Sequence, residues 1–292
     1  MPDTRVMELP DGRELAWLEA GRARGRPVFA FHGTPGSRRQ VSFDEKAITG
    51  AGVRMIAPDR PGYGHSSFHP GRSLTDWAAD VSALADHLKL DSFAVIGVSG
   101  GGPHAVACAR MLPERVTAAG IVSGVGPMAD PEFDVGMVGF NRGLSFLARQ
   151  SPVVLRPMFW LQEFYMRSWP EAALRAAIKR FPEPDAAMLE RADVRAAFLD
   201  DIRRASATTA QAATQDFVLF ACDWGFRLQD ITVPCHFWHC DADRNVLIGH
   251  GRFMAGRIPG AVLHECPGEG HLLYVDHLGE VLRTVGSAGA QD

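Results

Sequence analysis

This chain of 292 residues contains no run of about eighteen apolar residues, so nothing in it reads as a membrane span. Its first residues, MPDTRVME, carry none of the apolar core of a signal peptide. There is no basic run and no positive balance. The formal net charge is −4, which gives no reason to expect nucleic acid or an anionic membrane as a partner. Cysteine is scarce, with five residues at Cys108, Cys222, Cys235, Cys240 and Cys266. Their number is odd and their spacing matches no zinc pattern, so the default setting is a reduced cytoplasm. Cys235, Cys240 and Cys266 fall in or near apolar runs and read as small packing residues. No internal repeat or low-complexity tract occurs. What remains, 46% hydrophobic and 22% charged, is a globular chain long enough for one large α/β domain with an insertion.

The most informative stretch is FAVIGVSGGG at 93–102. An apolar run ends in a glycine-rich turn and passes into a helix-compatible segment at 103–112. Gly97, Ser99 and Gly101 fill a G-x-S-x-G frame. A serine hydroxyl is a weak nucleophile unless it is held out toward a base. A sharp turn does this but crowds the residues two before and two after, where glycine removes the clash. The Gly100 N–H then stands at a helix start, where the dipole favours an oxyanion.

Strands are expected at 5–9 and 14–19 around the Asp11-Gly12 turn, then at 27–31, 53–57, 93–98, 116–122, 234–239 and 261–266. Helices are expected at 38–50 with Ser37 as cap, at 74–88 with Ser73 and Asp76 as a capping box, and near 247–257 and from 271. Strands alternating with amphipathic helices imply an α/β fold, a mostly parallel sheet with helices on both faces and ligands at the carboxyl strand ends. The rhythm breaks at 127–222, where six helical segments, the first at 137–149, are punctuated by prolines. That stretch reads as a helical lid inserted into a core of 1–126 and 223–292.

A serine nucleophile needs a base, and the base needs an acid to orient it. His271, in PGEGH at 267–271, follows a late strand on a glycine-flexed loop and is the expected base. His65, His69, His87, His250 and His277 read as surface or turn residues, and His104 as structural. Asp241 and Asp243 both follow the strand at 234–239. Asp243 is preferred, with Asp130 or Asp134 as distant alternatives. The second oxyanion donor is expected from the loop HGTPG at 32–36. There Thr34 has an N–H and Pro35 has none, while His32 and Gly33 support the loop. Asp59 and Arg60 in DRPGYGHS read as making internal pairs.

Taken together, HGTPGS at 32–37, DRPGYGHS at 59–66, GVSGG at 97–101, WHCDADRNV at 238–246 and GEGH at 268–271 resemble the α/β-hydrolase fold superfamily in its lid-bearing branch. The family's H-G-x-x-D-x-x-V-P maps onto His239, Cys240, Asp243, Val246 and Leu247, which favours Asp243 as the acid. Cys240 stands where the family has glycine, and Leu247 where it has proline. The resemblance implies a serine hydrolase working through an acyl-enzyme with Ser99, Asp243 and His271, and needing no metal or organic cofactor. Serine at 99 excludes the relatives with aspartate there. The loop at 32–36 also resembles that of proline iminopeptidases, which would need lid carboxylates such as Glu163, Glu171 or Asp216 to hold a substrate amine. Carbon–carbon bond hydrolases, cofactor-free haloperoxidases and small-molecule receptors of the same fold share the triad. Large apolar side chains of the lid, among them Met137, Phe140, Phe146, Phe159, Trp160, Phe164, Phe217 and Phe220, favour an apolar acyl pocket and a small to medium apolar ester as substrate.

Overall fold

The computed structural model describes residues 4–130, 133, 147–148, 152–204 and 209–288. Eight strands form one sheet: β1 (Arg5–Glu8), β2 (Glu14–Gly21), β3 (Arg26–Phe31), β4 (Val53–Pro58), β5 (Phe93–Val98), β6 (Val116–Val122), β7 (Cys235–His239) and β8 (Val262–Glu265). Their spatial order is β1-β2-β4-β3-β5-β6-β7-β8. The first two strands pair antiparallel around the Asp11-Gly12 turn, and β2 pairs antiparallel with β4. Every later pairing is parallel.

The central strands are buried on both faces, as near-continuous apolar runs require. Alternation along β3 shows how two cores arise. Phe29 and Phe31 pack with helices α2 (Asp76–His87) and α3 (Gly102–Met111) on one face, while Val28 and Ala30 pack on the other. The second face is covered by α1 (Glu45–Gly50) and the last helix, α10 (Tyr274–Ser287). Tyr274, Val275, Leu278, Val281, Leu282 and Val285 form the buried stripe of α10, at helical period.

Five helices stand between β6 and β7 among the described residues: α4 (Pro152–Ser168), α5 (Pro170–Ile178), α6 (Glu183–Glu190), α7 (Ala192–Arg204) and α8 (Thr209–Ala221). The helix expected at 137–149, with Met137, Phe140, Phe146 and Asp134, lies outside the described residues apart from 147–148. After β7 comes α9 (Gly249–Ala255). No helix among the described residues is long and apolar enough to cross a membrane.

One helix start differs from expectation. The segment at 38–44 is not helical, and α1 begins at Glu45 with Asp44 as its cap, the Asp44 carboxylate accepting the Ala47 N–H at 2.8 Å. Ser37 is drawn away because its hydroxyl donates to Asp201 of α7. The next residue is held by Asp59, which accepts the Arg38 N–H at 2.8 Å. Tertiary carboxylates thus outcompete the local cap. The box at Ser73 and Asp76 does form: the Ser73 N–H donates to Asp76 at 2.8 Å, and the Asp76 N–H donates to the Ser73 hydroxyl at 3.3 Å.

The turn after β5 sets the closest packing in the sheet. A methyl group on Gly97 would stand 2.2 Å from the Gly101 carbonyl oxygen. Gly97→Ala is therefore expected to lower stability by about 1–3 kcal/mol through overpacking, read as a lower denaturant midpoint. A methyl at Gly12 meets nothing within 4 Å, so Gly12→Ala bears only its backbone strain, about 1 kcal/mol. An unchanged midpoint for Gly97→Ala would refute the packing argument.

Candidate active site

β5 ends at Val98, and Ser99 turns the chain with φ at +54°, in the left-handed region where a residue with a Cβ is strained. A short turn at Ser99–Gly101 leads straight into α3. The strain is held by close backbone packing on both sides. A Cβ on Gly101 would meet the Phe31 carbonyl oxygen at 2.3 Å, and the Ser99 carbonyl accepts the Val125 N–H at 3.2 Å. The hydroxyl therefore projects from the carboxyl edge of the sheet, where the loops after β3, β7 and β8 converge.

The structure brings Ser99, His271 and Asp243 into one hydrogen-bonded line. His271 Nε2 lies 3.0 Å from Ser99 Oγ, and His271 Nδ1 lies 2.8 Å from Asp243 Oδ2. Asp243 is buried, and its other oxygen accepts the N–H groups of Asn245 at 2.8 Å and Val246 at 2.9 Å. Burial pushes the Asp243 carboxyl up, but the His271 charge and these hydrogen bonds hold it below the usual carboxylate value. For His271 burial favours the neutral ring, yet Asp243 more than offsets this and holds it above the ordinary 6.5. Asp241 turns elsewhere and accepts the Gly268 N–H at 2.7 Å, so the two aspartates after β7 have separate tasks. Asp130 sits in the turn after β6.

The loop after β3 faces Ser99 from the other side. A Cβ on Gly100 would touch Thr34 Oγ1 at 2.3 Å, and one on Gly33 would lie 3.3 Å from Ser99 Cβ. His32 is buried and holds this loop: its Nδ1 donates to the Gly33 carbonyl at 2.9 Å, and its Nε2 accepts the Arg60 N–H at 3.0 Å. Burial and the Arg60 charge push His32 well below the usual histidine value, which suits that neutral tautomer.

Beneath Thr34 lies a buried ionic node. Asp216 on α8 accepts from the Thr34 hydroxyl at 2.7 Å, the Tyr63 hydroxyl at 2.7 Å and Arg60 Nη1 at 2.5 Å, and its second oxygen pairs with Arg72. Arg60 also donates to the Gly33 carbonyl and the Thr34 hydroxyl, both at 2.8 Å. Burial opposes the Asp216 charge, but the two guanidinium groups hold its carboxyl far below the usual range.

Two more aspartates of the inserted helices reach the same loops. Asp185, at the start of α6, accepts the backbone N–H of His271 at 3.0 Å and of Leu272 at 2.8 Å. A Cβ on Gly270 would strike its carboxylate at 2.3 Å. Asp201 accepts from Ser37. Neither was singled out from the sequence, where an acidic residue on a helix carries no sign of the distant backbone it will hold. His250, expected at the surface, is buried instead and accepts the Gly126 N–H at 2.9 Å.

The aromatic residues divide. Phe159, Phe217 and Phe220 form a cluster with Met128 and Phe133, and the Phe220 ring stands 3.1 Å from where a Cβ on Gly100 would be. Trp160 and Phe164 on α4 face outward, 58% and 48% exposed, and so leave the site. Gln40, Leu189, Phe198, Leu272 and Tyr274 line a cleft whose walls include none of Ser99, Asp243, His271, Thr34 or Gly100. The three inserted carboxylates considered for a substrate amine are engaged. Glu163 caps α8 through the Ala210 N–H at 2.9 Å, Glu171 pairs with Arg195 at 2.6 Å, and Asp216 is neutralised by two arginines.

Comparison with known proteins gives one family. The model of the alpha/beta hydrolase family matches residues 28–284. The chain is similar to an uncharacterized hydrolase, YcgS, of Bacillus subtilis, 33% identical over 135 residues, which is 45% of this chain and 46% of that protein. It is similar to a probable proline iminopeptidase of Streptomyces coelicolor, 26% identical over 289 residues, covering 93% of this chain and 82% of that protein. The chain spans less than half the length of several curated relatives it matches. Among solved structures, a hydrolase from Pseudomonas aeruginosa superposes with a TM-score of 0.71 at 18% identity, over 97% of this chain and 98% of that one.

The ionic node makes a direct prediction. Asp216→Ala would leave two buried guanidinium groups without a counter-charge and is expected to cost about 3–5 kcal/mol, measured by urea denaturation. A loss below about 1 kcal/mol would show that this pairing does not tie α8 to the core.

Proposed function

The chain belongs to the alpha/beta hydrolase family, and from that premise we propose that it is a serine carboxylesterase for small to medium apolar esters. The observation that carries this reading is the Ser99–His271 contact of 3.0 Å with Asp243 on the far ring nitrogen. His271 Nε2 takes the Ser99 proton as Oγ attacks the ester carbonyl carbon. The carbonyl electron pair moves to oxygen, and the Gly100 and Thr34 N–H groups hold that oxyanion. The tetrahedral intermediate then expels the alcohol, which leaves with the proton from His271. A water enters, gives its proton to His271 and attacks the acyl-enzyme; collapse returns the proton to Ser99 and frees the acid. Asp243 keeps Nδ1 protonated and balances the imidazolium throughout.

Residues 127–222 serve in this proposal as the lid that sets substrate choice. The cluster around Phe220, whose ring stands beside Gly100, gives an apolar wall for the acyl group. The similarity to a probable proline iminopeptidase supports a second reading, amide hydrolysis at a free amino terminus. The engagement of Glu163, Glu171 and Asp216 weighs against it, since each carboxylate already has a partner inside the protein. The five free cysteines fit a reducing, cytoplasmic setting.

With p-nitrophenyl esters from acetate to dodecanoate, the wild type is expected to turn over many times, fastest at short to medium chains. Ser99→Ala should lower kcat by about 10⁴- to 10⁶-fold. A burst without further turnover would replace the esterase by a receptor of this fold, and equal activity in Ser99→Ala would sink the mechanism.

The pH profile follows from His271. The base works only when neutral, and Asp243 holds it above 6.5. The rate should therefore rise with pH through a limb centred above that value. Asp243→Asn removes the charge that raises His271 and leaves the burial that lowers it, so the limb should move to lower pH. The same change should cut kcat by about 10⁴-fold. A limb that stays in place would mean Asp243 does not govern the base.

A further inference from the structure

A cluster of metal-ligating side chains lies behind the acid and base loops, apart from the reacting atoms. The donor atoms of Cys266, Glu269 and His277 all lie within 4.8 Å of one another. They come from the end of β8, the loop before His271 and the first turns of α10. Donors around a tetrahedral zinc are about 3.5 Å apart at bond lengths of about 2.0–2.3 Å, so shifts of about 1 Å would close this group of three. All three are partly open to solvent, so an ion can enter from that side and keep a water as its fourth ligand.

The orientation of the histidine is already prepared. His277 Nε2 points at Glu269, 3.0 Å from both carboxylate oxygens. Its other nitrogen, Nδ1, lies 3.1 Å from Glu280 Oε2, and Glu280 Oε1 accepts the Trp238 indole N–H at 3.0 Å. A ligating imidazole normally donates its second N–H to a carboxylate that is itself held, which fixes tautomer and ring direction. The Trp238–Glu280–His277 chain has that form.

We propose that Cys266, Glu269 and His277 bind a single zinc ion, with solvent as the fourth ligand, as a clasp joining the loop that carries His271 to α10. One thiolate, one imidazole and one carboxylate suit a borderline-soft, tetrahedral ion better than magnesium or calcium. Binding releases the thiol proton of Cys266 to solvent. His277 ligates through deprotonated Nε2 and keeps its Nδ1 proton on Glu280. No ligand is shared with the hydrolytic chemistry.

The test uses the full chain without a histidine tag, reduced, stripped with a chelator and titrated with zinc alone. Wild type is expected to take up one equivalent, measured by elemental analysis and by competition with a chromophoric chelator, and to show a higher Tm when loaded. Cys266→Ser and His277→Gln should abolish that uptake, and Glu280→Gln should weaken it by about 10- to 100-fold. Cobalt in place of zinc should give a thiolate charge-transfer band that Cys266→Ser removes. His271→Gln should bind as wild type does, which separates this site from zinc captured at Ser99. The proposal is overturned if the wild type takes up no zinc, if uptake survives in both Cys266→Ser and His277→Gln, or if His271→Gln alone removes it.

Discussion

The contact on which the site most depends is the buried pairing of Asp216 with Arg60 and Arg72. A single carboxylate from the inserted helices pairs with two guanidinium groups of the core and accepts from Thr34 and Tyr63 as well. A buried charge is costly without a partner, and here one carboxylate is the counter-charge that both arginines share. The sharing sets Thr34 and Gly33 opposite Ser99, because Arg60 spans Asp216 and the Gly33 carbonyl. An ionic node in the interior therefore fixes the position of a backbone amide on the surface of the site.

Asp185 and Asp201 extend the same principle. Three aspartates, on α6, α7 and α8, leave the inserted helices and end on the base loop, the Ser37 segment and the Thr34 loop. A carboxylate accepting two backbone N–H groups, as Asp185 does at His271 and Leu272, holds a loop without occupying the reaction space. The inserted helices and the reacting groups are thus mechanically joined, so a change in these helices changes the support of the base. The same commitment leaves each of these carboxylates with a partner inside the protein.

The strained serine belongs to this picture from below. Ser99 at φ +54° is held by backbone carbonyls that leave no room for a Cβ at Gly97 or Gly101. Rigid packing beneath the nucleophile and ionic anchoring around it give preorganisation from two independent sources. Neither is altered when His271 gains or loses a proton, because the proton moves between groups already in hydrogen-bond contact.

Local sequence determined the strands, the Asp11-Gly12 hairpin and the turn at Ser99, each by a short-range rule: apolar runs, turn chemistry, or the glycine that a tight bend demands. Asp243 and His271 were legible from their places after late strands and from the family motifs that those loops resemble. Local sequence also determined which residues of the 32–36 loop possess an N–H to offer. It failed at Ser37, where a distant carboxylate outbid the local helix cap, and at His250, which the fold buries against Gly126. Only the tertiary structure decided that Asp216, Asp185 and Asp201 turn inward while Trp160 and Phe164 turn outward, because a helix exposes its residues by period and not by identity. It alone placed His277 beside Glu269 and Cys266, since a helix packed against a strand end joins residues that no spacing rule connects.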